Sequence, residues 1–197
     1  MSDIISLLRE SGAMLEGHFL LSSGRHSDRY FQCARLMQYP DKTAAALEPL
    51  IGRIKADMAS GKISFDAVAG PAMGAVILAY EFGRQLGLPA VFTERDDKGI
   101  MRVRRFEIKP GTRFLVVEDA VTTGKSAKEG AAALEAEGAV IAAFACIVDR
   151  RSPGNDINWP FYPAVKIDAE NWDPADCGLC KKGIPAVKPG SRKQYPI

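Results

Sequence analysis

Phe114-Leu115-Val116-Val117-Glu118-Asp119-Ala120-Val121-Thr122-Thr123-Gly124-Lys125-Ser126 is the stretch of this 197-residue chain whose reading decides its fold class. Four apolar residues predict a buried strand. Glu118 and Asp119 then read as an acidic turn, Thr122–Ser126 as a small polar loop, and the Ala-, Leu- and Glu-rich run from Ala127 to Glu137 as a helix. A Thr/Gly/Ser loop that opens a helix aims backbone N–H groups and the positive end of the helix dipole at one point, which suits a phosphate. Adjacent carboxylates would repel that phosphate. They suit ribose hydroxyls, or a Mg2+ ion shared with further phosphate oxygens. The implied ligand is a sugar phosphate.

On either side the pattern repeats. Ile63 to Val68 predicts a strand, Ala69-Gly70-Pro71-Ala72-Met73-Gly74 a small-residue turn, and Ala75 to Leu86 a helix, giving a second place where a diphosphate could meet backbone N–H groups. Pro89 to Glu94 is the next strand, and Gly99 permits a hairpin into Ile100–Phe106. There Met101 and Val103 are expected inward, and Arg102 and Arg104 outward. Arg95, Lys98, Arg102, Arg104 and Arg105 crowd cations into this hairpin. After the turn at Lys109-Pro110-Gly111 and the central motif, Val140 to Val148 predicts another buried strand, with Asp149, Arg150 and Arg151 at its carboxyl end. Alternating strands and helices predict an α/β fold with a central parallel sheet flanked by helices. Ligands of such sheets bind outside the carboxyl ends of strands, where Gly70, Asp119 and Arg150 all fall.

The ends are less regular. Ile4 to Leu15 reads as a short amphipathic helix stopped by Ser11-Gly12, and Gly17 to Phe31 as two short strands around Ser22-Ser23-Gly24. Pro40 to Ser60 is a long amphipathic helix, Ser152 to Pro160 a loop, and Ala164 to Ile167 a last strand. Twenty-six Lys and Arg against 24 Asp and Glu leave a formal charge of +2, which makes no case for a nucleic-acid partner. Met1-Ser2-Asp3-Ile4 shows no secretory pattern, and the longest apolar run, Ala139–Val148, is ten residues, too short for a bilayer. The expectation is one domain, 1–197, cytoplasmic and without a membrane partner. Four cysteines are too few for a disulfide scaffold. Cys177 and Cys180 form one Cys-x-x-Cys, whereas a structural zinc site needs four ligands; free thiols in a tight knuckle are expected, with no residue assigned to bind metal. His18 and His26 are too isolated in sequence to argue a catalytic pair.

The motif around Glu118-Asp119 resembles the signature of the type I phosphoribosyltransferases: apolar strand, acidic pair, two residues, Thr-Thr-Gly-x-Ser. The segment Phe19 to Phe31, with Ser23-Gly24-Arg25, Ser27 and the aromatic pair Tyr30-Phe31, is similar to the N-terminal signature of the orotate phosphoribosyltransferases. The Cys-x-x-Cys, Gly183-Ile184-Pro185 and Lys188-Pro189-Gly190-Ser191-Arg192 tail is similar to that of some members. The resemblance implies a central parallel sheet under a small hood made of segments about 1–40 and 160–197. It also implies transfer of a phosphoribosyl group from phosphoribosyl diphosphate (PRPP) to orotate, with Mg2+ as cofactor, giving orotidine 5′-monophosphate and diphosphate in UMP synthesis. By that resemblance PRPP contacts Glu118, Asp119, Ala120, Val121, Thr122, Thr123, Gly124, Lys125, Ser126, Gly70 and Arg95. Orotate would meet Thr122, Arg150 and Arg25. Glu118, Asp119, Arg95 and Lys98 would be catalytic, the last two on a lid shared between the subunits of a homodimer. The chain departs from the family where Ser22 stands for the usual Lys, where Asp96 replaces the lid's second cation, and where the lid lacks a His. A purine acceptor, or a PRPP-sensing regulator, are the other readings. The cationic Arg25 and Arg150 favour an acidic pyrimidine over the first. The near-neutral charge and the short N-terminal segment argue against the second.

Overall fold

The computed structural model describes residues 3–21, 23–168 and 170–189. The expectations for Ser22 and for the tail at Gly190-Ser191-Arg192 lie outside them. Along the chain come α1 (Ile4–Glu10), β1 (Met14–Leu20), β2 (His26–Phe31), α2 (Ala34–Met37), α3 (Pro40–Ala59), β3 (Ala67–Pro71), α4 (Val76–Leu86), β4 (Ala90–Arg95) and β5 (Met101–Arg102). Then follow β6 (Arg113–Val121), α5 (Lys125–Ala136), β7 (Val140–Asp149), β8 (Phe161–Lys166), β9 (Asn171–Trp172) and α6 (Gly178–Lys181).

Two sheets form. The larger has the order β5-β4-β3-β6-β7-β8, parallel except for the edge strand β5. From β3 the chain winds through α4 to β4 on one side. It then returns to β6, beside β3, and winds through α5 to β7 on the other. The winding reverses between β3 and β6, so the loops leaving these two strands part and open a crevice at their carboxyl ends.

Both faces of the sheet are covered. Leu115 and Val117 of β6 point into the core shared with α3 and α4, where Leu47, Leu50, Ile54, Leu78 and Phe82 lie. Phe114 and Val116 point the other way, onto Ala127, Ala131 and Leu134 of α5. This alternation is the two-residue repeat of a strand read against two buried faces. Helix α5 sits close because Gly130 carries no side chain: a Cβ there would stand 3.1 Å from Thr93 Oγ1.

The smaller sheet, β1-β2-β9, is antiparallel and caps the crevice as a hood. Its β1–β2 hairpin is joined to the C-terminal segment by paired backbone bonds, Leu20 N–H to Val187 O and Val187 N–H to His18 O, each 2.8 Å.

Several expectations need correction. The first helix ends at Glu10, and Leu15, expected in it, lies in β1. The strand after the long helix begins at Ala67 rather than Ile63; Ile63 and Phe65 are buried, but as part of the preceding loop. The hairpin strand expected to run to Phe106 stops at Arg102, since an edge strand with β4 as its one neighbour holds only as far as that ladder reaches. β8 belongs to the large sheet, so the C-terminal part of the hood begins with β9 and not at residue 160. Finally, His18 and His26 are not isolated. They meet Cys177 and Cys180, because the hood hairpin folds against the C-terminal segment.

Candidate active site

The acidic pair is not in a turn. β6 continues through Glu118 and Asp119 to Val121, because β7 supplies a ladder partner that far, with Glu118 opposite Cys146 and Val121 opposite Asp149. Being consecutive in a strand, the two carboxylates leave on opposite faces. Glu118 faces α5 and accepts the N–H of Ala127, one of the first-turn donors that a helix cannot satisfy itself. Asp119 faces the β3–α4 loop, where a Cβ on Gly74 would stand 3.3 Å from its Oδ2. The pair thus straddles the mouth of the crevice.

Burial pushes the Glu118 carboxyl up to about 7, with the Asp119 charge adding to it. Burial also raises Asp119, against the N–H of Ala120, which donates to its Oδ1 at 2.8 Å. Carboxylates kept in this condition await donors or a cation.

Thr122, Thr123 and Gly124 make the expected loop. Gly124 closes it at φ 68°, a left-handed conformation that costs glycine little, and α5 starts at Lys125, two residues before the sequence suggests. Thr123 Oγ1 accepts the Lys125 N–H at 3.3 Å. N–H groups at such a loop and helix start, where the helix has no partners of its own to offer, suit an anion. The neighbouring loop, Ala72–Ala75, contains a cis peptide between Ala72 and Met73 and is held by Ala72 N–H to Thr93 O at 2.7 Å. Gly70 lies inside β3, one step before this loop. Its role is spatial, since a Cβ would meet Ala75 O at 2.6 Å, so only glycine lets the loop fold back over the strand.

At the end of β7 the two arginines divide their work. Arg151 pairs with buried Asp149 through two bonds, 2.9 and 3.1 Å, and stacks on Phe161. That leaves Arg150 to point elsewhere. Its guanidinium lies 4.8 Å from the centre of the Phe31 ring, its Nε is buried without a hydrogen-bond partner, and burial pulls it below the usual arginine range. The Arg150 N–H donates to Val121 O at 2.8 Å, which fixes it beside Thr122. Asp28, on β2, attracts the same guanidinium, and its Oδ1 is also buried without a partner. A buried guanidinium N–H and a buried carboxylate oxygen that both lack hydrogen-bond partners suit a ligand with an anionic edge and a donor. Sequence reasoning missed Asp28. Nothing marks it in the chain except its place between Ser27 and the aromatic pair.

Two predicted site residues are engaged elsewhere, and a third stands apart from the acids. Arg25 is exposed and spends its donors on Asn171 O at 2.8 Å and Asp173 Oδ2 at 3.5 Å, so it ties the hood together instead of lining the cleft. Arg95 donates to Glu129 Oε2 at 2.5 Å and to Gly99 O at 2.6 Å. Lys98 stands exposed at the hairpin tip. The tip is shaped by Asp96, whose Oδ1 accepts the N–H groups of Lys98 and Ile100, both at 2.9 Å. The acid that stands where the family carries a cation is therefore a turn-former here.

The model of the family described as "Phosphoribosyl transferase domain" matches residues 41–179. An orotate phosphoribosyltransferase of Heliobacterium modesticaldum is 46% identical over 190 residues, 96% of this chain and 97% of that protein. The crystal structure of orotate phosphoribosyltransferase from Aeropyrum pernix superposes with a TM-score of 0.68 at 25% identity, over 83% of this chain and 93% of that one. That of Mycobacterium tuberculosis, solved with inorganic phosphate, gives 0.61 at 25% identity, over 83% and 93%.

Proposed function

The chain belongs to the phosphoribosyl transferase family, among its orotate phosphoribosyltransferases, and from that premise we propose how its residues divide the reaction. It is an enzyme that transfers the phosphoribosyl group of PRPP to orotate, forming orotidine 5′-monophosphate and diphosphate for pyrimidine nucleotide synthesis. One observation carries the choice of acceptor: Arg150 is a desolvated cation with a buried, unanswered N–H, set over Phe31 beside Thr122. A carboxylate bound there forms charge-assisted bonds that a neutral purine cannot offer.

In this reading the 5′-phosphate rests on the N–H groups of Thr122, Thr123, Gly124, Lys125 and Ser126. Ala120 and Val121 carry the backbone beneath the ribose, and Glu118 and Asp119 accept its hydroxyl protons. The diphosphate lies along Ala72–Ala75, the loop whose close return Gly70 permits. Asp28 accepts a ring N–H of orotate, and Arg150 holds its carboxylate. Arg25 would join them only by releasing Asp173.

Part-buried carboxylates with raised proton affinity suit ribose hydroxyls that share a hard cation with the diphosphate, so Glu118 and Asp119 would hold Mg2+ through those hydroxyls. When bound, the ion neutralises charge on the departing diphosphate. The C1–O bond to diphosphate breaks with its electron pair leaving on diphosphate, as N1 of orotate closes on C1 and gives up its proton to solvent. Cationic character grows on the ribose, and the two carboxylates stabilise it more than they stabilise the ground state. Arg95 and Lys98 screen the diphosphate from a lid that closes over the site, with Arg95 exchanging Glu129 for phosphate oxygens.

The exposed Met73, Ile77 and Tyr80, at 86, 55 and 66% exposure, follow one another at helical spacing beside the diphosphate loop. They support a homodimer whose interface borders the site and whose lid reaches across it. No described helix is long and apolar enough to cross a membrane. The test of the reaction is the absorbance of orotate on adding PRPP and Mg2+. Loss of the orotate band is expected, and an inert mixture would refute the assignment.

A further inference from the structure

We propose that the hood is fastened by a zinc ion held by His18, His26, Cys177 and Cys180. The four come from separate places: β1, the first residue of β2, the residue before α6, and α6 itself. Their ligand atoms all lie within 4.8 Å of one another, and three of the four residues are buried. His18 Nε2 stands 2.8 Å from His26 Nδ1, 3.3 Å from Cys177 Sγ and 3.8 Å from Cys180 Sγ, while Cys180 Sγ stands 3.3 Å from His26 Nδ1. A tetrahedral zinc with bonds of about 2.0 Å to nitrogen and about 2.3 Å to sulfur sets its ligand atoms roughly 3.3 to 3.8 Å apart. Four of the six separations, 2.8 to 3.8 Å, lie near that span, and all six are within 4.8 Å, so small side-chain adjustments bring the four atoms onto one ion.

Hydrogen bonding alone does not account for this packing. His18 Nδ1 lies 2.7 Å from the carbonyl of Ile184, which fixes its proton there and leaves Nε2 with a lone pair aimed at the cluster. One lone pair accepts one good hydrogen bond, yet three polar atoms crowd it. A cation shared by all four satisfies every group at once. Both thiols would bind as thiolates and release their protons to solvent, so the filled site carries no net charge, which suits burial. Two nitrogens and two sulfurs in tetrahedral array select zinc over a hard cation such as Mg2+.

The ion would have a structural role. Two ligands are on the hood hairpin and two on the C-terminal segment, so it cross-links the parts that β9 and Val187 already join. The same hairpin carries Asp28 and Phe31 to Arg150. Metal loss should therefore loosen the orotate side of the cleft and leave the PRPP loops alone.

Purified protein analysed by elemental mass spectrometry is expected to carry one zinc per chain. Metal-stripped protein should take up Co2+ with the intense visible bands of a tetrahedral site and a thiolate-to-cobalt band in the near ultraviolet. Cys180→Ser changes an exposed helical residue and should still fold, yet it should lose or shift both bands. Cys177→Ser should lose the metal and its tighter melting transition. A chelator selective for zinc, used with Mg2+ in excess, should raise KM for orotate severalfold and leave KM for PRPP nearly unchanged. Reduced wild-type protein that takes up neither Zn2+ nor Co2+ would overturn the proposal. So would a Co2+ spectrum that Cys180→Ser leaves unaltered. Neither result bears on the assignment of transfer to orotate, whose chemistry uses none of the four ligands.

Discussion

Glu118 carries the clearest pH dependence in the molecule. Its carboxyl is raised from 4.5 to about 7 in the folded chain, so the native state holds that proton more tightly than the unfolded chain does. The penalty is absent below about pH 4.5 and grows as pH rises through 7, to at most about 3 kcal/mol in the ligand-free protein. Glu118→Gln keeps an acceptor for the Ala127 N–H and should therefore raise the melting temperature at pH 8 while leaving it nearly unchanged at pH 4. Melts of both proteins at the two pH values check this. The same shift predicts that PRPP with Mg2+ expels a proton on binding at neutral pH. Calorimetry in buffers of different ionisation heat should show that release in the wild type and lose most of it in Glu118→Gln. Asp119→Asn removes a preorganised charge from the opposite face of the strand. Turnover should fall on the order of a hundredfold with the fold intact, as judged by circular dichroism. Arg150→Ala should weaken orotate by roughly two orders of magnitude, the cost of losing a buried charge-assisted contact, with PRPP affinity little changed. Equal losses for both substrates would remove Arg150 from the acceptor pocket.

The site is made by two strand–loop–helix units, β3–α4 and β6–α5, placed side by side by the reversal of winding. Each depends on a missing side chain. Gly130 lets α5 lie against Thr93, and Gly70 lets the Ala72–Ala75 loop return over β3. A methyl at residue 70 would collide with backbone at 2.6 Å, which cannot yield as a flexible side chain would. Gly70→Ala is therefore expected to cost about 1–3 kcal/mol, the usual penalty of overpacking, and to raise KM for PRPP. Chemical denaturation and steady-state kinetics measure the two effects. The β6–α5 unit was legible in the sequence because apolar run, acids, small polar loop and helix formers follow one another without interruption. Its detail was not. Where β6 ends depends on β7, whose ladder carries both acids into the strand and sends them to opposite faces.

The whole molecule adds a hood and an exposed apolar stripe. Tyr80→Asp on that stripe tests the proposed homodimer: light scattering should read a monomer for the variant against a dimer for the wild type, and activity should fall with it if the lid crosses the interface. Lys98→Ala mixed with Asp119→Asn would then regain activity beyond the sum of the two, because a hybrid dimer has one site with both an intact lid and an intact acid. If the mixture regains nothing, the lid serves its own subunit, as the Arg95–Glu129 pair within the chain would allow.

The residues alone were enough for the α/β class and for the strand–loop–helix order at β6–α5. Backbone geometry there is set by neighbours a few positions away, and strand and helix periodicities are local signals. Folding had to decide the rest. Arg150 was left free of Asp149 because Arg151 took that partner, and Arg25 turned to Asn171 and Asp173. His18 and Cys177, 159 positions apart, came into contact only when the hood closed on the C-terminal segment. Partner choice among like residues is a competition settled by distance, and distances between remote segments exist only once the chain has packed.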